Sequence, residues 1–365
     1  MVATQPKFDV IFKELAVTAI QRMQRGTVIM ILNDDTNALI DKAVYTGLGD
    51  VNKADFTTAN YDLLTLCFMG NPYKVVVIKA SEAIADTLKK LEVYNNYILC
   101  YPDAEASDFT AIQNYIKGIR AKNNYSKAIF GGALSPDAEY IINFATDGIK
   151  ANVNGEVKSF TTGDYTARIA GALSGLSSSR SLTFFELPEI VECTLSEDAD
   201  ADVEDGKLVI IHQDGSFKLG RGVNSLVTLT DGVTEAFQKI RVIDILDTIA
   251  NDIVSTFRLH YVGKYTNNFT NKNRFIGAVN AYLNTLATEG LLEIENDNVV
   301  YLSADKIKAY LQGKGKDTSD MTYNEIIRAN TGSYVFLDGV CSPTDAMEDL
   351  SIGMYLYQAL EQIAA

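Results

Sequence analysis

The sequence predicts a mostly parallel α/β unit followed by an α+β unit, with an extended segment at each end. Three observations carry that reading. Between residues 27 and 181, short uninterrupted apolar runs alternate with amphipathic helical stretches, the pattern of a parallel sheet covered on both faces. Near residue 182 the pattern changes to paired strand-like runs and two long helices. Residues 7–12 and 333–357 read as extended, with period-two alternation, and belong to neither pattern.

Taken in order, residues 1–26 form a leader in which Phe8, Val10 and Phe12 share one face of a short strand. Residues 27–32 (TVIMIL) are the first buried-type strand, 56–70 a helix closing at Gly70, and 73–80 the next strand. A helix over 81–94 starts at Ser81, a residue type that accepts from the orphan amides of a first turn. Strand 97–101, helix 106–123 and strand 127–133 continue the alternation. Residues 135–146 open on Ser135 and Pro136. Proline suits a first helical turn because its missing N–H is not needed there, so a helix is predicted. A hairpin over 148–160 and a small-residue helix over 164–176 complete this unit.

The second unit begins with a strand-rich run (182–195), an acidic turn (197–206) and two strands joined at Asp214–Gly215 (207–229). A helix over 236–261 carries Ile243, Leu246, Ala250, Ile253, Phe257 and Tyr261 on one stripe. A second, over 272–288, carries Phe275, Ile276, Val279, Leu283 and Leu286 and stops at Gly290. A hairpin (291–303), a short helix (304–312) and a polar loop (313–320) follow. In the closing strand Leu350, Ile352, Met354 and Leu356 share a face. An apolar terminal strand frays unless it pairs, so it is expected to add to a sheet edge on another chain. The expected divisions are 1–26, 27–181, 182–342 and 343–365.

The chain has 365 residues and a formal net charge of −15, from 32 Lys and Arg against 47 Asp and Glu. That balance excludes the basic footprint of a nucleic-acid binder and disfavours docking to anionic membranes. Cys67, Cys100, Cys193 and Cys341 are isolated, which predicts reduced thiols and folding in a cytoplasm. No signal-peptide pattern opens the sequence, and no apolar run reaches the roughly 18 residues of a membrane span. Basic residues cluster at Lys264, Lys272 and Arg274, and again at Lys306, Lys308, Lys314 and Lys316. Each cluster is either a solvated face or a docking surface for an acidic partner.

No constellation for catalysis stands out. His212 and His260 are the only histidines and lie in no metal-ligand spacing. There is no GxSxG elbow, no phosphate loop and no dinucleotide fingerprint. The acidic run from Asp198 to Asp205 fails as a calcium loop, with Val203 where glycine is required and Val209 where a closing glutamate is required. No catalytic residue, metal or cofactor is therefore predicted. The alternative is an α/β enzyme, a hydrolase or nucleotide-binding protein, with an unrecognised site.

Residues 8–32 (with AIQRMQRG at 19–26), 56–80, 239–268, 271–292 and 343–356 together resemble the contractile tail sheath family of phage tails and R-type bacteriocins, including diffocin-like particles. The resemblance implies a subtilisin-like α/β domain without protease activity, an α+β C-terminal domain and two arms. It implies six-subunit rings stacked helically around an inner tube. Arms bearing Phe8, Val10, Phe12, Leu350, Ile352, Met354 and Leu356 would add strands to neighbours, on hinges at Gly26, Gly332, Gly339 and Pro343. The implied partners are the chain itself, the inner tube, the baseplate and a tail terminator, with the two basic clusters meeting the tube. The particle would be made in bacterial cytoplasm, released on lysis, and would contract without nucleotide to drive the tube through a cell envelope.

Overall fold

A computed structural model describes residues 20, 26–37, 40–132 and 135–354. Phe8, Val10, Phe12 and Leu356 lie outside the described residues. The first half contains β1 (Thr27–Leu32), β2 (Lys42–Tyr45), α1 (Thr58–Phe68), β3 (Lys74–Lys79), α2 (Ile84–Lys90), β4 (Tyr97–Cys100) and α3 (Ala106–Arg120). It continues through β5 (Lys127–Gly131), β6 (Ile141–Phe144), β7 (Asp147–Val153), β8 (Glu156–Phe160) and α4 (Thr162–Gly175). Then come β9 (Ile190–Thr194), α5 (Ala199–Glu204), β10 (Lys207–Leu208), β11 (Ile210–Gln213) and β12 (Ser216–Leu219). The C-terminal part holds α6 (Ile240–Thr256), α7 (Phe269–Thr288), β13 (Val299–Leu302), α8 (Ala304–Gly313), α9 (Tyr323–Arg328) and β14 (Leu337–Val340).

Seven strands form one sheet in the order β10-β6-β5-β4-β1-β3-β2, parallel throughout except for β2 at the edge. Alternation along β1 decides the two cores. Val28, Met30 and Leu32 face the layer of α1 and α4, while Ile29 and Ile31 face α2 and α3. The small residues of α4 have a packing reason. A Cβ on Gly171 would lie 1.9 Å from the Cys67 carbonyl oxygen, and one on Gly175 1.8 Å from that of Gly70, so α1 and α4 touch through backbone.

Three expectations need correction. Residues 135–146 form no helix: Ser135 and Asp137 turn at positive φ (39° and 46°), and β6 follows. Ile141–Phe144 is buried at every position between β5 and β10, so tertiary burial overrode the Ser-Pro helix start. Residues 291–303 do not close on themselves. β13 pairs instead with β14, and Leu292 bridges Pro343. Finally, strand pairing with the first unit does not stop at residue 182: β9 pairs with β7, and β10 extends the seven-stranded sheet as far as Leu208.

Beyond it, α6 and α7 pack around Ile245, Tyr261, Phe275, Val279 and Leu283, joined by the Ile20 side chain. The long helix predicted over 236–261 ends as α6 at Thr256 and continues as one wide π turn, Phe257–Tyr261. A buried ion cluster ties this part to the sheet. Arg120 grips Asp247 in a two-pronged pair (2.7 and 3.0 Å), and Lys127 reaches both Asp244 (2.8 Å) and Asp247 (2.5 Å). Burial alone would raise the Asp247 pKa, but Lys127 and Arg120 outweigh it and hold the carboxyl below its usual value.

Candidate assembly surface

The chain leaves β14 along the surface of the C-terminal part, and its path is fixed step by step. The Thr344 N–H donates to Leu291 O (3.1 Å) and its hydroxyl to Gly290 O (2.8 Å). Arg241 closes over the same residue, donating to Thr344 O (3.1 Å) and Oγ1 (3.0 Å). Four residues on, Glu348 turns inward; its side chain is only 6% exposed. Its carboxylate receives Lys239 Nζ (2.5 Å), Arg221 Nη1 (3.3 Å) and the Thr183 hydroxyl (2.5 Å). Asp349 pairs with Arg221 at 2.7 Å, and that hydrogen bond lowers its pKa.

After this clasp the chain lets go. Residues 350–354 have no regular structure, and Leu350, Ile352 and Met354 are 84%, 68% and 90% exposed. Three large apolar side chains in solvent, on a segment otherwise bolted down two residues earlier, form an unsatisfied surface.

The β13–β14 ribbon precedes this segment in the chain. Alone, two strands are marginal. Asn280 of α7 closes one side, accepting from the Val300 N–H (2.8 Å) and donating to its carbonyl (3.1 Å). Among the described residues no strand pairs with the outer edge of β14.

The expected hinges separate. Gly26 (φ 87°) and Gly332 (φ 62°) occupy backbone that only glycine adopts readily. Gly339 instead lies within β14 opposite Val300, and Pro343 bridges Leu292, so both are held. The first uncommitted residue of the tail is Leu350. The basic candidates separate too. Lys264, Arg274, Lys308, Lys314 and Lys316 are exposed, and Lys306 pairs with Asp338. Lys272 is 5% exposed and donates to the Thr331 hydroxyl, so it cannot meet a partner's surface in this conformation. The clasp of Glu348 by Lys239 and Arg221 was missed at sequence level. An isolated Glu-Asp pair just before an apolar terminal strand was the available signal.

Among the described residues no His, Cys, Asp and Glu group could hold a metal ion, and no helix is long and apolar enough to cross a membrane. The acidic run forms the short helix α5, with Asp202 engaged by Lys207 and Ser196.

A phage tail sheath C-terminal domain model matches residues 233–355. The chain is similar to the tail sheath protein of Clostridium phage phiCD119, 34% identical over 353 residues, covering 93% of this chain and 96% of that one. In fold it is similar to a sheath tail protein of Desulfitobacterium hafniense (TM-score 0.67, 15% identity, 83% of this chain and 93% of the other). It is also similar to the helical sheath of the anti-feeding prophage in its contracted state (TM-score 0.69, 14% identity, 97% and 99%).

Proposed function

The chain belongs to the phage tail sheath family, and we propose that it is the repeating subunit of a contractile tail, assembled as stacked six-membered rings around an inner tube. One observation carries the reading: a tail clasped through Glu348 and Asp349 that then presents Leu350, Ile352 and Met354 to solvent. Such a segment suits donation to a neighbour. The open edge of β14 is the acceptor, because Asn280 already occupies β13.

Backbone-paired links of this kind stay connected while subunits move as rigid bodies, which contraction requires. Phe8, Val10, Phe12 and Leu356 are assigned to the same two arms. The α/β unit takes the role of the subtilisin-like sheath domain, a fold label without protease activity. We place its end near residue 232, since the strand pairing runs past 182 and the C-terminal domain match starts at 233. Lys264, Arg274, Lys308, Lys314 and Lys316 are the cations left for the tube, where screened pairs worth about 0–1 kcal/mol each would release readily. Baseplate and terminator contacts belong to the two ends of the stack. Synthesis in bacterial cytoplasm and release on lysis complete the proposal.

The experiment is negative-stain microscopy of the purified full-length chain beside a chain lacking residues 350–365. Hollow tubes from the first and folded monomers from the second are expected. Tubes from the truncated chain would remove the arm from the mechanism. A full-length chain that stays monomeric at high concentration, with and without tube protein, would sink the sheath assignment.

A further inference from the structure

A second feature of the C-terminal part is not explained by sheath assembly. A cavity of about 450 Å³ opens between the π turn and the start of α7. One wall is aromatic: the rings of Phe257, Tyr261 and Phe275 stand with centroids 4.8 to 6.1 Å apart. The other wall is polar and holds two groups that protein atoms leave incomplete. Lys272 is 5% exposed, and the Thr331 hydroxyl at 2.8 Å takes one of its three ammonium protons. Among the described residues no carboxylate pairs with it, and burial pulls its pKa below the ordinary lysine value. Asn267 is fixed by its amide nitrogen, which donates to Gly332 O and Tyr334 O at 2.8 Å each, while its Oδ1 is buried with no hydrogen-bond partner. The same nitrogen lies 3.4 Å from the Thr331 hydroxyl, so the open acceptor and the uncompensated cation stand side by side.

Water serves the polar wall at little cost but leaves the aromatic wall wet. A ligand that satisfies both walls carries three parts: an anion for Lys272, an N–H for Asn267 Oδ1 and an apolar side chain for the rings. A carboxylate suits Lys272, because a charged acceptor gains more from a buried ammonium than a neutral one does. The N–H belongs to an amide, because a free α-ammonium would set a second cation beside Lys272. An acylated apolar amino acid carries all three parts around one carbon, whether as a small molecule or as the last residue of a peptide. We propose that the cavity is a binding site for such a group, with its carboxylate on Lys272 Nζ, its amide N–H on Asn267 Oδ1 and its side chain against Phe257, Tyr261 and Phe275. Cavities that take small ligands run from roughly 300 to 1,000 Å³, so the space is sufficient. The site is complete within one subunit and does not depend on the assembly proposed above.

Titration calorimetry of the full-length protein with N-acetyl-L-leucine tests it. Saturable binding is expected, and N-acetyl-L-leucinamide, which lacks the carboxylate, should bind about tenfold more weakly or worse. Lys272→Met should weaken the acid to the level of the amide and leave the amide unchanged. Hydrogen exchange of peptides covering 257–275 and 331–335 should slow when the acid is bound. Tighter binding of N-acetyl-alanyl-leucine than of N-acetyl-leucine assigns the site to a peptide end, and equal binding assigns it to the small molecule. Should Lys272→Met fail to fold, the comparison of acid with amide on the unaltered protein decides, together with the exchange map. No saturation up to roughly 10 mM acid would overturn the proposal. So would equal binding of acid and amide, or exchange slowed only outside these residues.

Discussion

At the residue scale, two buried carboxylates tie distant stretches of the subunit together. Asp247 is 10% exposed and answers both Arg120 and Lys127. Asp247→Asn leaves Arg120 facing a neutral partner and Lys127 with Asp244 alone, and should cost about 3 kcal/mol in urea unfolding. The pH dependence has a definite sign. The folded carboxyl lies below the ordinary aspartate value near 3.9, so its contribution is present above about pH 4 and is lost as pH falls through the depressed folded value. The variant should therefore show a flatter acid limb. Glu348 does the same work for the tail. Glu348→Gln keeps the hydrogen-bonding shape but removes the charge facing Lys239 and Arg221. Faster amide exchange over 344–354, with the thermal midpoint of the body nearly unchanged, is the expected outcome.

At the element scale, the helix pair α1–α4 shows why small residues were needed. The sequence announced a small-residue helix, but only the backbone contact at Cys67 explains Gly171. Gly171→Ala must push the helices apart, and a loss of about 1–3 kcal/mol in thermal or urea unfolding is expected. The strands of the α/β unit were legible because their runs are apolar on both faces. β6 was not, because Ser135–Pro136 carries a helix-start signal while burial of Ile141–Phe144 depends on β5 and β10 arriving on either side. The β13–β14 ribbon failed for a related reason: its partners are 35 or more residues apart, and the nearer run at 291–295 looked equally fit to pair.

At the scale of the whole molecule, the exposed apolar tail and the outer edge of β14 are two surfaces left without a partner among the described residues. Ile352 is 68% exposed and belongs to no core cluster, so Ile352→Asp should leave the monomer's unfolding free energy within about 0.5 kcal/mol of its original value. The same change should abolish tubes in the microscope if the arm inserts into a neighbour. The sequence by itself determined the alternating α/β core, the two long helices and the acidic charge balance, because hydrophobic period and local composition are properties of neighbouring residues; the family came from the resemblance of particular stretches. Only the tertiary structure decided that β9 and β10 pair with the first unit beyond residue 182, that Lys272 faces inward and that the tail is held to Asp349 before it is free. Each of these depends on which distant residues meet: β10 on β6, Lys272 on Thr331, and Glu348 on Lys239 and Arg221.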